Sequence, residues 1–376
     1  MLKNFFNKHE NYSSELISYL RLIRTEFVGI KTFYNLLKYY GSPSAAVEHL
    51  PEFMRRAGKP NFKVASSQIV MQEIEAMNKI GARYLIYSDH QYPKILKHIP
   101  DPPPVLSYKG SLDILKNESV AIVGARNASI SGMNLAGKIA KDLAKSDINV
   151  VSGLARGIDT AAHKAAIPNT IAVIAGGIDN YYPEENRKIQ DQISEEGLLL
   201  AELPIKTVPH SRHFPQRNRI ISGLSKATIV VEAALNSGSL ITAKLAVEQN
   251  REIFSCPGYP LDPRSSGTNK LIKEGANLFS STNEVIEFIK QTTKLHLEED
   301  VKEFDQKPVR YKLDESYLND SNREKILSLL SPVPISVEEL ADNADIPMPV
   351  VLTILLELEL QGKIVYHPRN RISLNY

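Results

Sequence analysis

Between residues 118 and 256 the chain repeats one unit: a short aliphatic run, a turn of small residues, then a stretch with helical periodicity. "SVAIVGARNAS" is the first run and ends at Gly124. "INVVSGLARGIDTAAHKAA" is the second, with Gly153 and Gly157 ahead of an alanine-rich stretch. "TIAVIAGGID", "ATIVVEAALNSGSLITAKLAVEQ" and "EIFSCPG" follow. A strand that is apolar at successive positions has no face to give to water. Such strands, alternating with helices, require a mostly parallel sheet covered on both sides, a doubly wound α/β fold.

The flanks read differently. Residues 13 to about 80 carry apolar positions at helical spacing, with Gly41 as a stop signal, and predict a small helical domain. "RYLIYSDHQYPKILKHIPDPPPVLSYKG" is broken by prolines into strand pieces and a crossing segment. Residues 291–320 are charged, without a sustained apolar pattern, and predict a linker. From 321 the order is helix, helix, helix and a two-strand wing. It includes a capping box at Ser336 and Glu339, a helix "PVVLTILLELELQG" ending at Gly362, and the hairpin "KIVYHPRNRISL". The expected organisation is therefore a helical domain over 1–80, an α/β domain over 81–290, a linker over 291–320 and a winged helix over 321–376. A length of 376 residues suits such a multidomain chain.

Open α/β sheets bind ligands at the carboxyl ends of their strands. Three small-residue turns fall there: Gly124 with Arg126, Gly153 with Arg156 and Gly157, and Ser237, Gly238 and Ser239. Each precedes a helix, whose free N–H groups and positive dipole end favour phosphate. Tight strand-to-helix turns are also a plain requirement of such a fold, but three together, two with an arginine, favour a phosphate or polyanion site. No G-x-G-x-x-G follows the first strand, so no dinucleotide is expected. The string Gly132, Gly137, Lys138 ends in Ile139 where a P-loop needs Ser or Thr, so ATP chemistry is not expected either. No cofactor is expected.

A net charge of +2 means that any polyanion site must be a local patch. "PHSRHFPQRNRI" over 209–220 supplies one. No acid occurs between Glu202 and Glu232, while Lys206, Arg212, Arg217, Arg219 and Lys226 lie there with His210, His213 and Phe214. Cations for the backbone and an aromatic face for bases suit single-stranded nucleic acid. Pro209 and Pro215 argue against a regular basic helix across the stretch, and in an extended segment Arg217 and Arg219 would share a face. The alternatives are a core role for Phe214 and pairing of an arginine with Glu202 or Glu232. His210 and His213 have no cysteine or third histidine nearby, so no metal is expected. His163 lacks a nucleophile partner and is read as a structural helix histidine, and Asp159 as a helix cap or a partner that orients Arg156. One cysteine, no signal-peptide pattern at the start and no long apolar run lead to the expectation of a soluble, cytoplasmic protein.

"VAIVGARNASISG", "VVSGLARGIDTAAH", "TIAVIAGGIDNYYPEEN" and the run from "HFPQRNRIISG" through "SSGTNKLIKEGA" closely resemble the DNA-processing protein A family (DprA, also called Smf). The resemblance is dense over about 83–288, and the flanks resemble that family's SAM or helix-hairpin-helix-like domain and winged helix. It implies an extended Rossmann-like fold and a non-enzymatic homodimer. Such a protein binds single-stranded DNA, loads the RecA recombinase onto it, and protects incoming DNA in natural transformation. It implies that Arg126 holds DNA phosphate, that a base stacks on Phe214, and that Arg217, Asn218 and Arg219 line the groove. Gly153, Gly157, Ser237, Gly238 and Ser239 would form its backbone pocket. Where some members carry a DNA-binding lysine, this chain has Ser211 with Arg212 next to it, and the two expectations are that Arg212 substitutes or that affinity is lower. Only "IPN" precedes "TIAV", and Ala201 stands where serine is common; neither departure carries an expected consequence. A rival reading, a Rossmann-like nucleoside-phosphate hydrolase, lacks its P-G-G-x-G-T-x-x-E string here. A transcription-factor reading of the tail is weakened by Glu357 and Glu359 on the presumed recognition helix, which has no Lys or Arg; Arg369 and Arg371 on the wing are the exception. The tail is read instead as a partner or self-contact module.

Overall fold

The computed structural model of the chain describes residues 12–56, 61–299, 319–367 and 370–375. Helices α1 (Ser14–Ile23), α2 (Ile30–Tyr40), α3 (Pro43–Arg56) and α4 (Ser67–Lys79) come first, followed by β1 (Arg83–Ile86), the short α5 (Lys94–Lys97) and β2 (Val105–Gly110). The alternating units are β3 (Ser119–Val123), α6 (Ile130–Ala144), β4 (Asn149–Ser152), α7 (Ile158–Ala166), β5 (Thr170–Ile174) and α8 (Arg187–Glu196). They continue with β6 (Leu198–Ala201), α9 (His213–Gly223), β7 (Ala227–Val230), α10 (Gly238–Glu248) and β8 (Glu252–Ser255). Then come α11 (Ser266–Lys273), β9 (Asn277–Leu278) and α12 (Thr282–Glu299). The tail is α13 (Asp320–Leu329), β10 (Ile335–Ser336), α14 (Val337–Ala344), α15 (Met348–Leu360), β11 (Ile364–His367) and β12 (Arg371–Leu374). Glu73–Glu303 forms one compact unit; the flanks up to Gln72 and from Phe304 form the other.

The central unit holds a nine-stranded sheet in the order β1-β2-β6-β5-β4-β3-β7-β8-β9. From β6 to β9 every neighbouring pair is parallel, while β1–β2 and β2–β6 are antiparallel. Every residue of β3, β4, β5, β6 and β7 is buried, as a parallel sheet covered on both faces requires. On one face Val120, Ile122, Ile139, Leu143, Val285 and Ile289 form a core. On the other Val123, Val151, Ile220, Leu224 and Ala246 do so, with Leu96 from α5. The string Gly132, Gly137, Lys138 lies inside α6 rather than in a loop.

Three local expectations change. β6, "LLLA", was not expected as a strand; no small-residue turn follows it, only Glu202 and a proline. The proposed linker begins too early, because α12 continues through Glu299; the rest of that segment, 300–318, lies outside the described residues. The third change is α9, which runs through Pro215. Proline is tolerated in a first turn because the N–H it lacks has no intrahelical partner there.

In the flanking unit the winged helix has its own core of Ile326, Leu340, Val351, Leu355, Ile364 and Ile372. Ser336 Oγ accepts from the Glu339 N–H at 3.1 Å, one half of the capping box. Neither glutamate of α15 is a free surface charge. Glu357 takes two hydrogen bonds from Arg323, at 2.6 and 3.1 Å. Glu359 is half-buried, and this desolvation raises its pKa, while Thr32 of α2 bonds its carboxylate. Lys31 of α2 lies 4.9 Å from the ring centre of Tyr366. The helix that a groove reader would present to DNA thus packs on α2 of the same chain. Arg369 lies outside the described residues; Arg371 pairs with Ser336 in the small sheet. Among the described residues no helix is long and apolar enough to cross a membrane.

Candidate nucleic-acid interface

The strand order reverses between β3 and β7, where the crossovers change direction, and the carboxyl ends of these two strands open into a cleft of about 630 Å3. The turn after β3 brings Gly124 and Arg126 to it, α10 brings Ser237, Gly238 and Ser239, and α9 brings Phe214, Arg217 and Asn218. Residues from three separate parts of the chain therefore meet because one sheet edge collects them.

Arg126 is exposed, and its guanidinium carbon lies 4.9 Å from the centre of the half-buried Phe214 ring. That stacking holds a cation above an aromatic face at the mouth of the cleft. Arg217, one turn further along α9, is 7% exposed. Its Nη1 donates to the Gly153 carbonyl at 2.5 Å and to the Val173 carbonyl, and its Nε donates to Asn218 Oδ1 at 3.1 Å. Burial pulls its pKa down to about 10, against the attraction of Asp159. Arg217 thus underlies the cleft as a fixed positive charge that ties the ends of β4 and β5 together.

Arg219 does not share that face. Two residues on a helix lie about 200° apart, so Arg219 points away from Arg217. It is 5% exposed, its Nε is 3.2 Å from Asp101 Oδ2, and its Nη2 bonds Glu202. Burial works against its charge, but Glu202 and Asp101 outweigh burial and raise its pKa. It lines neither this cleft nor the one beside it. The expectation of a shared Arg217–Arg219 face fails because the segment is helical.

The three turns differ in what they offer. Ser129, at the start of α6, gives its N–H and hydroxyl to Glu232 at 2.9 and 2.5 Å, so a carboxylate already stands at that helix end. Asp159 accepts from the N–H groups of Gly153 and Ala155 at 3.1 and 3.3 Å. It therefore serves the turn rather than Arg156, which pairs instead with Glu185 at 2.6 Å. The α10 end carries only hydroxyls: Ser237 Oγ accepts from the Ser239 N–H at 3.3 Å and lies 2.7 Å from Ser239 Oγ. A phosphate is best received there, with Arg126 opposite. Two glycines serve the scaffold. At Gly153 a Cβ would sit 2.6 Å from Arg217 Nη1, and Gly157, at φ +73°, would press one to 2.3 Å from the Ala125 carbonyl oxygen. Arg212 precedes α9, exposed, with Nε 3.4 Å from His213 Nε2, and lines neither cleft.

His163 is fully buried on α7, its Nδ1 2.7 Å from Thr170 Oγ1. Burial, with Arg217 nearby, lowers its pKa to about 3. The unfolded chain binds a proton at this residue below about pH 6.5 and the folded chain does not until about pH 3, so stability is lost as pH falls through that window. Asp159, raised by burial, acts in the opposite sense. The readout is therefore the difference between two proteins. The unfolding free energy of His163→Gln, from urea titrations at each pH, should fall less steeply with acidification than that of the wild type, by up to about 1.4 kcal/mol per pH unit. Parallel pH profiles would remove this account of His163.

Some site features were not anticipated. Glu232 and Asp101, read only as possible pairing acids or not at all, organise the turn and Arg219. Tyr182, whose ring centre lies 5.4 Å from that of Phe214, carries little signal in the sequence beyond the adjacent pair of tyrosines after an aliphatic run.

A family model described as DNA recombination-mediator protein A matches residues 83–290. A DprA-like N-terminal HHH domain matches 13–76, and a DprA winged helix domain matches 315–369. The chain is 47% identical over 201 residues to the DNA processing protein DprA of Streptococcus pneumoniae, covering 53% of this chain and 71% of that protein. It is 38% identical over 301 residues to Protein Smf of Escherichia coli, covering 77% of each. The X-ray structure of the Streptococcus pneumoniae protein superposes with a TM-score of 0.60 and 36% identity, covering 73% of this chain and 98% of that one. DNA processing protein A from Helicobacter pylori, whose structure concerns its unique single-stranded DNA binding mode, gives 0.52 and 31%, covering 56% and 97%.

Proposed function

This chain belongs to the DNA recombination-mediator protein A (DprA/Smf) family, and on that premise we propose that it is a single-stranded DNA-binding protein that mediates recombination. The observation that carries this reading is the stacked Arg126–Phe214 pair facing the α10 end across one cleft. Ser237, Ser239 and Arg126 would receive phosphates, and the Phe214 ring would take a base. Arg217 keeps the cleft floor positive without touching the strand.

The proposal includes binding without catalysis. In its support, His163 is buried and neutral, and Asp159 and Glu232 are committed to backbone N–H groups of the turns. It includes a cytoplasmic homodimer through the central unit that hands the strand to the RecA recombinase during uptake of DNA. Ile241 and Val247, exposed on α10, supply an apolar face for the dimer. Sedimentation of the wild-type chain and recombinase assembly on the bound strand test these parts. A monomer at every concentration, or no acceleration of assembly, removes the corresponding one.

The first test is fluorescence anisotropy with an oligothymidylate and with duplex DNA over a salt series. Single strand should be preferred. Arg126→Ala should lower the slope of log affinity against log salt by about 0.7, the share of one phosphate contact on a single strand. Equal binding of duplex, or an unchanged slope, would overturn the reading of the groove.

A further inference from the structure

The parallel strands have a second end. At the amino ends of β3, β7 and β8, opposite the carboxyl ends that carry the groove, a cleft of about 750 Å3 is bounded by residues of α5 and α12. Pro93, Ile95, Leu115, Leu224 and Phe288 give it apolar walls, and Lys94, His98 and Arg251 line it with them.

Arg251 stands in the turn between α10 and β8. Among the described residues the central unit buries or half-buries three arginines, Arg217, Arg219 and Arg251. The first two are matched. Three oxygens accept from Arg217, with Asp159 nearby, and Arg219 has Glu202 and Asp101. Arg251 has one carbonyl. Its Nη2 donates to the Ile95 oxygen at 2.8 Å, its Nε is buried without an acceptor, and it enters no ion pair among the described residues. Burial pulls its pKa below the usual arginine range, with no carboxylate opposing the shift. A partly desolvated guanidinium without a counter-charge is unfavourable, and an anion beside it relieves that.

Lys94 and His98, four residues apart across the single turn of α5, are exposed and have no partner among the described residues. The other charges of the cleft have partners. Lys226 is 2.8 Å from Glu118 Oε1, Lys116 is 2.5 Å from Asp113 Oδ1, and Glu252 accepts from Asn277 Nδ2 at 2.5 Å. Asn277 belongs to β9, so the Glu252 carboxylate is held toward the far side of β8 from β7. Lys94 and Arg251 remain as uncompensated cations beside apolar walls.

A ligand that uses the whole cleft carries an anionic group for the cations and a less polar body for the walls. A guanidinium offers phosphate a planar fork of N–H groups, and a cleft of this size holds a small molecule. The backbone of a strand would use the cations and leave the walls empty; a nucleoside monophosphate would use both. We propose that the amino-end cleft binds a nucleotide, with its phosphate on Arg251 and Lys94 and its nucleoside against the apolar walls. This site is separate from the groove and does not depend on the single-strand reading.

The test is calorimetric titration of thymidine monophosphate into Arg126→Ala/Phe214→Ala, which silences the groove, and into the same protein carrying Arg251→Gln or Lys94→Gln. The groove-silenced protein should bind the nucleotide, and thymidine, without the phosphate, should bind roughly 10- to 100-fold more weakly. Arg251→Gln should weaken the nucleotide by a similar factor and leave thymidine unaffected. Lys94 is exposed, so Lys94→Gln keeps the fold and should also weaken the nucleotide, which carries the test if Arg251→Gln fails to fold. No binding to the groove-silenced protein, or undiminished binding to both further variants, overturns the site. If Arg251→Gln leaves the nucleotide alone but lowers the salt slope of oligothymidylate binding, the cleft takes the backbone of a strand and the nucleotide assignment is wrong.

Discussion

Arg219→Met should lower the stability of the central unit by about 3 kcal/mol and leave the single-strand affinity of the folded protein unchanged. The guanidinium is buried against Glu202 and Asp101, and its removal takes from Glu202, with a side chain 18% exposed, its buried arginine partner. The figure sits at the low end of the range for a broken buried pair, because the Asp101 side chain is 36% exposed and keeps water. Urea unfolding followed by circular dichroism measures the loss. Adding Glu202→Gln to Arg219→Met should recover part of it, since the carboxylate that Arg219 neutralised is then replaced by a neutral amide. The family resemblance places Arg219 in the groove; the helix places it on the opposite side. A variant of normal stability with weakened DNA binding would favour the resemblance over the geometry.

Phe214→Ala should weaken single-strand binding by about 1–3 kcal/mol, roughly 5- to 150-fold, with the salt slope unchanged. The ring contributes a face and no charge, so its loss removes stacking without releasing fewer counterions. The half-buried ring touches Arg126 and Tyr182 at the rim of the clefts rather than the sheet core, so the fold should tolerate its truncation. Phe214→Trp should retain binding. The contrast with Arg126→Ala is the informative part. One substitution should change affinity alone, and the other should change its salt dependence. If Phe214→Ala lowers the slope, Arg126 is held in place by the ring, and the two roles are not separate. If affinity is unchanged, Phe214 is a structural residue.

Much of the fold was legible because burial on both faces leaves a simple trace. β3, β4, β5 and β7 are fully buried and read as uninterrupted aliphatic runs, each followed by small residues. β6 is as buried as they are, yet "LLLA" runs straight into an acid and a proline, so the turn signal is missing. The tail was legible from its capping residues and its helix–helix–helix–hairpin order. α9 is hidden in the sequence because Pro215 reads as a helix breaker, yet in a first turn it breaks nothing.

The candidate site divides along the same line. Its composition was determined by the chain itself: small residues after the strands, an acid-free basic stretch, and one ring among cations are local features. What each group does was decided by tertiary structure. Arg217 and Arg219 are two residues apart, yet one secures the floor of the cleft and the other is spent on Asp101 and Glu202. Of three helix starts, two already face carboxylates delivered from elsewhere in the chain or turn, and only the α10 end is left to hydroxyls. Tyr182 gains meaning only beside Phe214. Propensity, pattern and turn chemistry act over a few residues and can be read along a chain. Pairing, burial and the neutralisation of a charge depend on which distant segments the sheet brings within a few ångströms, and that is fixed only when the fold closes.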